Sequence, residues 1–254
     1  MVTKKYKITN EKIKVDGKTL HRIVALRDFG DIKAGDLGGF IQRQFNLSHD
    51  GNCWIYDDAK TYEFAMISDN AKVYGNAVIN GVTRIKDCAI ICNNALISGH
   101  SEIMGNAIIA DNARVWGRIK IMDNSKISGN AHIDGHSIIK DNANVYESAE
   151  ISGHAIISGN AKVFGEAKVK RHAEISGDAW ISGNVRVGGT MLIRKEMWLK
   201  GSERIDNMTH LDIYEGARVI DATDNAYIFE KDDKIFEVDI RVFIEPDVCE
   251  HTGE

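Results

Sequence analysis

Histidine is the side chain whose ordinary pKa lies closest to neutrality, and four of the nine histidines in this 254-residue chain fall on one arithmetic series. His136, His154 and His172 are eighteen residues apart, His100 lies two such steps before His136, and Arg118 fills the step between. A file of imidazole and guanidinium groups has a short list of uses. Histidine can act as a general base that takes the proton of a hydroxyl or amine acceptor, and for that chemistry His100, His136 and His154 are the candidates. All five residues together can hold an anion or an acidic partner through charge-assisted hydrogen bonds. Zinc needs four ligands in a tetrahedron, which a straight file in one chain does not supply, so no metal site is expected. In a simpler reading, histidine only fills a stacked turn position. Substituting His136, His154 and His172 by Asn would then leave any ligand affinity unchanged.

An eighteen-residue period needs a scaffold, and the scaffold is visible as a period of six. From Ile55 to Ile193 every sixth residue is aliphatic, and of those 24 positions only Thr61 departs. Four residues after each aliphatic residue comes a small one, as in Ala59, Ala65, Ala71, Thr83 and Ser101, with exceptions at Ile119, Val185 and Met191. Six is incompatible with the 3.6-residue helical period, but it is even, so each repeat can hold a short strand with its central side chain inward. The next two places read Gly75-Asn76, Asp111-Asn112, Gly129-Asn130 and Gly159-Asn160, residue types that tolerate the positive φ of tight corners. Three strands and three corners close a triangular coil. Residues 53 to 193 therefore predict an all-β parallel β-helix, a triangular prism of about eight coils of three hexads and roughly 38 Å long at about 4.8 Å per coil.

The pattern of an aliphatic residue followed at the fourth place by a small one resembles the hexapeptide repeat of the left-handed β-helix superfamily (LpxA-like), which contains many acyltransferases. The resemblance supplies the left-handedness. Upstream, the stretches from Leu26 to Ile41 and from Asn46 to Trp54 resemble the entry region of YdcK-like proteins, a branch common in phages and prophages and often described as acyltransferases. The resemblance covers about residues 5 to 195. It implies acetyl-CoA or another acyl-CoA as cofactor if the chain is an enzyme; otherwise none is expected.

Stacked coils leave open edges, so caps are expected at both ends. The predicted organisation is a hairpin and capping region over residues 1–50, the hexapeptide-repeat β-helix over 51–195, and a C-terminal cap with an irregular coil and a hairpin over 196–254. Asp16-Gly17 is a two-residue hairpin signal between alternating strands, and Lys231-Asp232-Asp233-Lys234 marks a second hairpin. The glycine-rich run at Gly35-Asp36-Leu37-Gly38-Gly39 is not a phosphate loop, because no Lys-Ser/Thr follows it. After Ile193 the phase becomes uncertain, and Gly216-Ala217-Arg218-Val219 resembles a repeat shifted by two.

Adding eighteen gives a map of the surface. One corner carries Asn52, Asn70, Cys88, Asn106, Asn124, Asn142, Asn160 and Asp178, and another carries Asn76, Asn94, Asn112 and Asn130, which predict amide ladders. The third carries Phe64, Val82, His100, Arg118, His136, His154, His172 and Thr190. At coil spacing, like charges disfavour simultaneous protonation of neighbouring histidines, which makes this corner a candidate pH-sensitive edge. One flat face is the most apolar, through Trp54, Tyr56, Tyr74, Ile90, Ile108, Tyr146, Phe164 and Trp180. An apolar strip of that length is expected to be an interface. A homo-oligomer is expected, with a trimer as the first guess because a cyclic trimer uses two complementary surfaces per subunit.

A net charge of -5 gives no basic footprint for nucleic acid. No apolar run approaches the length of a membrane helix, and four cysteines without a CxxC pair suit a reducing compartment, so a cytoplasmic protein is expected. The functional expectation is a non-enzymatic β-helical scaffold, phage-associated, that presents a rigid surface to a protein partner or to its own copies. The alternative is an acyl-CoA-dependent O- or N-acyltransferase with a histidine base. Against that alternative, the register contains no insertion that could build a donor pocket.

Overall fold

The computed structural model describes residues 4–194, 197–201, 204–205, 218–222, 226–231 and 234–239. The chain opens with β1 (Tyr6–Val15) and β2 (Lys18–Ala25), antiparallel around Asp16 and Gly17. Both turn residues have positive φ, as a two-residue hairpin requires. Next, β3 (Leu37–Ile41) pairs antiparallel with β2 on one side and parallel with the first coil on the other, through Phe40↔Lys60 and Ile41↔Thr61. The glycine-rich run is explained by that junction. A Cβ on Gly38 would lie 2.7 Å from the Ile55 carbonyl, and one on Gly39 would collide with the Ala59 carbonyl.

From Trp54–Ile55 to Arg204–Ile205 the chain forms 26 short strands, β4 to β29, in three parallel sheets around a prism of about nine coils. Nearly every strand is two residues long, an outward residue followed by the inward aliphatic one, and each pairs with the strand eighteen residues away. Inside are Ile55, Ile67, Val73, Ile79 and their successors, fully buried, with the small residues tucked under the corners. Where the small place holds a hydroxyl, it donates backward three residues, as from Ser125 Oγ to Met122 O at 2.7 Å and from Ser137 Oγ to Asp134 O at 3.0 Å. Thr61 is the exception. Its hydroxyl takes an inward aliphatic place, fully buried with no hydrogen-bond partner.

The phase does not fail after Ile193. Trp198–Gly201 pairs with Trp180–Gly183, and Arg204–Ile205 with Arg186–Val187, still eighteen residues apart. Met197 fills the small place and is buried. The register then slips by two, with Trp198↔Arg218 and Leu199↔Val219, as the sequence shift indicated. From there β30 (Arg218–Ala222), β31 (Ala226–Lys231) and β32 (Lys234–Asp239) continue the same sheet as an antiparallel meander.

The N-terminal end shows what a cap must do. Inside the prism each downward carbonyl accepts an N–H from the coil below, for example Asn94 N to Asp111 O at 2.8 Å, and the first coil has no coil below it. Donors of other kinds substitute. Phe40 N reaches Ala59 O (2.8 Å), Gln42 N reaches Thr61 O (3.2 Å) and Ser48 N reaches Ile67 O (2.8 Å). Asn46 Nδ2 serves Glu63 O (3.2 Å) and Ala65 O (2.8 Å), and Arg22 Nη1 serves Asp57 O (3.0 Å). The buried Lys5 ammonium serves Cys53 O (2.9 Å), Gly51 O (3.2 Å) and Asp50 O (3.3 Å). Burial lowers the Lys5 pKa from its ordinary value, and the Cys53 thiol 3.2 Å away opposes that shift. A buried unpaired carbonyl costs about 1–3 kcal/mol, which explains why a lysine occupies so dry a place. No described helix is long and apolar enough to cross a membrane.

Candidate functional site

Repetition stacks identical backbone corners, so the site question is which corner departs from the others. In the first two corners asparagine does what an amide can, donating Nδ2–H to Oδ1 of the next coil. The links are 3.0–3.3 Å at Asn106→Asn124→Asn142→Asn160 and at Asn76→Asn94→Asn112→Asn130. The preceding turn residue often carries a carboxylate that accepts a backbone N–H one coil on, as from Gly105 N to Asp87 (2.9 Å) and from Gly129 N to Asp111 (3.0 Å). That second ladder was not anticipated from sequence, where Asp in Asp-Asn reads only as a turn former. Cys88 interrupts the first amide ladder.

The third corner is built differently. Its leading turn residue is Gly81, Gly99, Gly117, Gly135 and Gly153 in five successive coils, all with positive φ. A Cβ on Gly99 would lie 2.5 Å from the Gly117 carbonyl. Backbone links here are short, 2.5–2.7 Å from His100 N, Arg118 N, His136 N and His154 N to the next coil. The side chains point away from the prism: His100, Arg118, His136, His154 and His172 are all exposed. His136 and His154 stack with ring centroids 4.9 Å apart, and His154 and His172 with centroids 4.8 Å apart and planes 4° from parallel. The structure thus brings His136, His154 and His172 together as one stack and sets His100 and Arg118 below it on the same edge. Of all the described histidines only His132 lies within 4 Å of a carboxylate, Asp134 at 3.9 Å. Among the described residues the three candidate bases have no carboxylate within 4 Å to orient them.

The apolar face is an aromatic strip in three pairs: Tyr56 on Tyr74 (4.2 Å), Tyr146 on Phe164 (4.8 Å) and Trp180 on Trp198 (5.1 Å). Ile90 and Ile108 continue it, half-buried. Trp54 does not belong to it. Tyr6 and Phe29 pack edge-on against its ring and leave it fully buried, because the cap folds over the first coil. The same cap occupies Tyr56, whose hydroxyl lies 3.0 Å from both Asp31 oxygens while Lys72 Nζ reaches Asp31 at 2.9 Å. The Lys72 hydrogen bond holds the Asp31 carboxyl below its ordinary pKa. Trp198, 47% exposed, extends the strip beyond the expected set, and Lys162 lies 4.4 Å over the Trp180 ring. Those residues, with Asn160 and Asp178, line a shallow depression of about 360 Å³.

A second depression, about 560 Å³, lies where the third corner meets the cap. Phe45, Phe64, Met66 and Val82 line it and are 39–59% exposed, and Arg84 closes one side. Phe45 stacks on Phe64 at 6.3 Å, and the Arg43 guanidinium lies within 6 Å of both rings. Phe45 and Arg43 sit in the turn Gln44–Asn46 and its N-cap, where nothing in the period marks them. Among the described residues no three His, Cys, Asp or Glu side chains converge.

Over 63 residues, 24% of its length, the chain is 44% identical to an Escherichia coli (strain K12) protein described as an uncharacterized acetyltransferase, YdcK. The chain is a hexapeptide-repeat β-helix with a YdcK-like segment. The match spans 19% of that E. coli protein, so most of the relative lies outside the comparison. No protein-family model matches the chain.

Proposed function

We propose that this hexapeptide-repeat protein is a non-enzymatic β-helical rod that binds and assembles through its faces, with its own copies as first partner in a trimer. The observation that carries the reading is the unbroken eighteen-residue register from Trp54 to Ile205. No loop projects from the described coils to wall a donor pocket, and the depressions at Trp180 and Trp198 and at Phe45 and Phe64 are shallow surface features. Drug-sized and cofactor ligands are held in concave sites that bury most of their surface. The aromatic strip, by contrast, has the composition of an interface, with stacked Tyr, Phe and Trp interrupted by Lys72, Lys126 and Lys162.

Light scattering on the full chain tests assembly. The expected mass is near three times 28.2 kDa, falling to one chain when Phe164→Asp and Trp180→Glu place carboxylates in the strip. A monomeric unmodified chain would remove the assembly proposal.

The description of the E. coli relative as an acetyltransferase favours a second reading, an acyl-CoA-dependent acyltransferase with His100, His136 or His154 as base. In a trimer the donor cleft would lie between subunits beside the third corner. Calorimetric titration with acetyl-CoA separates the readings, because only the enzyme needs a saturable donor site.

A further inference from the structure

We infer that the third corner is a docking edge for an acidic, extended protein segment, anchored by a bulky apolar side chain in the depression at Phe45, Phe64, Met66 and Val82. The apolar end is open to solvent among the described residues, with Phe64 59% exposed. Exposed apolar clusters rimmed by charge mark contact sites. The rim is arginine on both sides, Arg43 over the two phenyl rings and Arg84 on the far wall.

From there the edge runs through His100, Arg118, His136, His154 and His172. Phe64 to His172 spans six coils, roughly 29 Å at about 4.8 Å each, the length of about nine extended residues at ~3.3 Å.

Charge decides the occupant. Arg43, Arg84, Arg118 and Arg171 have no carboxylate within 4 Å among the described residues. The acids nearest the edge are mostly engaged elsewhere. Glu63 is held by Lys18 (2.9 Å) and the Gly81 N–H (2.8 Å), Glu102 by Lys86 (2.8 Å), and Asp134 lies beside His132. Glu174 is the one acid there with no such partner. A chain of net charge -5 therefore gathers unpaired guanidinium forks on one edge, and forks of that geometry match carboxylates. In the asparagine corners the polar groups are spent on each other, whereas the imidazole nitrogens of the third corner make no hydrogen bond to described protein atoms. Carboxylates on a partner can take both sets of donors.

The inference rests on the reading of the rod as a binding surface, but on a different face. A monomeric mass would remove the trimer and leave this edge standing. The test uses the full chain and a fluorescently labelled ten-residue peptide, one Phe followed by glutamates, read by anisotropy. Saturable binding is expected, weakened at least tenfold by Phe64→Ser and again by Arg118→Glu, and weakened on raising salt from about 50 to about 300 mM. Thermal melts confirm that the variants, altered only at exposed positions, remain folded. The absence of saturable binding would overturn the inference, as would binding indifferent to both substitutions. A single-stranded oligonucleotide that binds the same edge more tightly than the peptide would overturn it too, by making the partner a nucleic acid.

Discussion

Asparagine closes two corners of the prism, and the third is closed by glycine followed by histidine or arginine, although all three make the same turn. In the asparagine corners the side chain works for the fold: each amide bonds the next, and aspartates one place earlier hold the backbone N–H groups of the following coil. The third corner does without both ladders over most of its length. Its backbone instead stacks so closely that five consecutive turns are glycine, and the freed side chains face solvent. In a repeat protein every position has a structural duty, so a position released from that duty is where another use can be sought.

The largest expected effect tests the backbone side of that contrast. Gly99→Ala puts a Cβ 2.5 Å from the Gly117 carbonyl, whereas Gly129→Ala in a ladder corner puts one 2.8 Å from Glu147, in a column that already holds Asp111 and Glu147 at positive φ. We expect about 2–4 kcal/mol of destabilisation for the first and about 1–2 kcal/mol for the second in urea unfolding. Equal losses would erase the difference between the corners. Next comes a polar group that has no ladder at all. Thr61→Val removes a buried hydroxyl without a partner and should raise stability by about 1–2 kcal/mol, and a loss would show that the hydroxyl is satisfied in solution. Asn124→Ala breaks two amide links and should cost about 1 kcal/mol, while His154→Ala should cost less than about half of that. If the histidine substitution costs as much, the imidazole stack is a structural ladder after all. The smallest effect is a repair: Cys88→Asn should rejoin Asn70 to Asn106 and gain a few tenths of a kcal/mol, read as a small rise in melting temperature.

The prism itself was legible in the sequence because its constraints repeat. Each coil needs an aliphatic residue inward and a small residue under the corner, so Ile55 to Ile193 declares its own register, and adding eighteen finds the ladders and the histidine file. Adding eighteen cannot find what reaches the prism from outside. Trp54 reads as one more surface aromatic, but Tyr6 and Phe29 cover it from a hairpin and loop that have no periodic relation to it. Lys5, Arg22 and Asn46 are ordinary polar residues until the first coil is seen to lack donors for its carbonyls. The continuation past Ile193 was obscured by Met197, a large residue in a small place, which the core nevertheless buries. Arg43 and Phe45 join the site only through the turn that carries them to Phe64. The chemistry of the third corner was visible as a list of side chains; its exposure and lack of orienting acids were not.

The central claim is that the faces of this rod bind other proteins and do not process an acyl donor. Calorimetric titration of the full chain with acetyl-CoA tests it most directly. The account predicts no saturable heat. A clean isotherm with one site per chain would contradict it and move attention to the histidine corner as a catalytic edge between subunits.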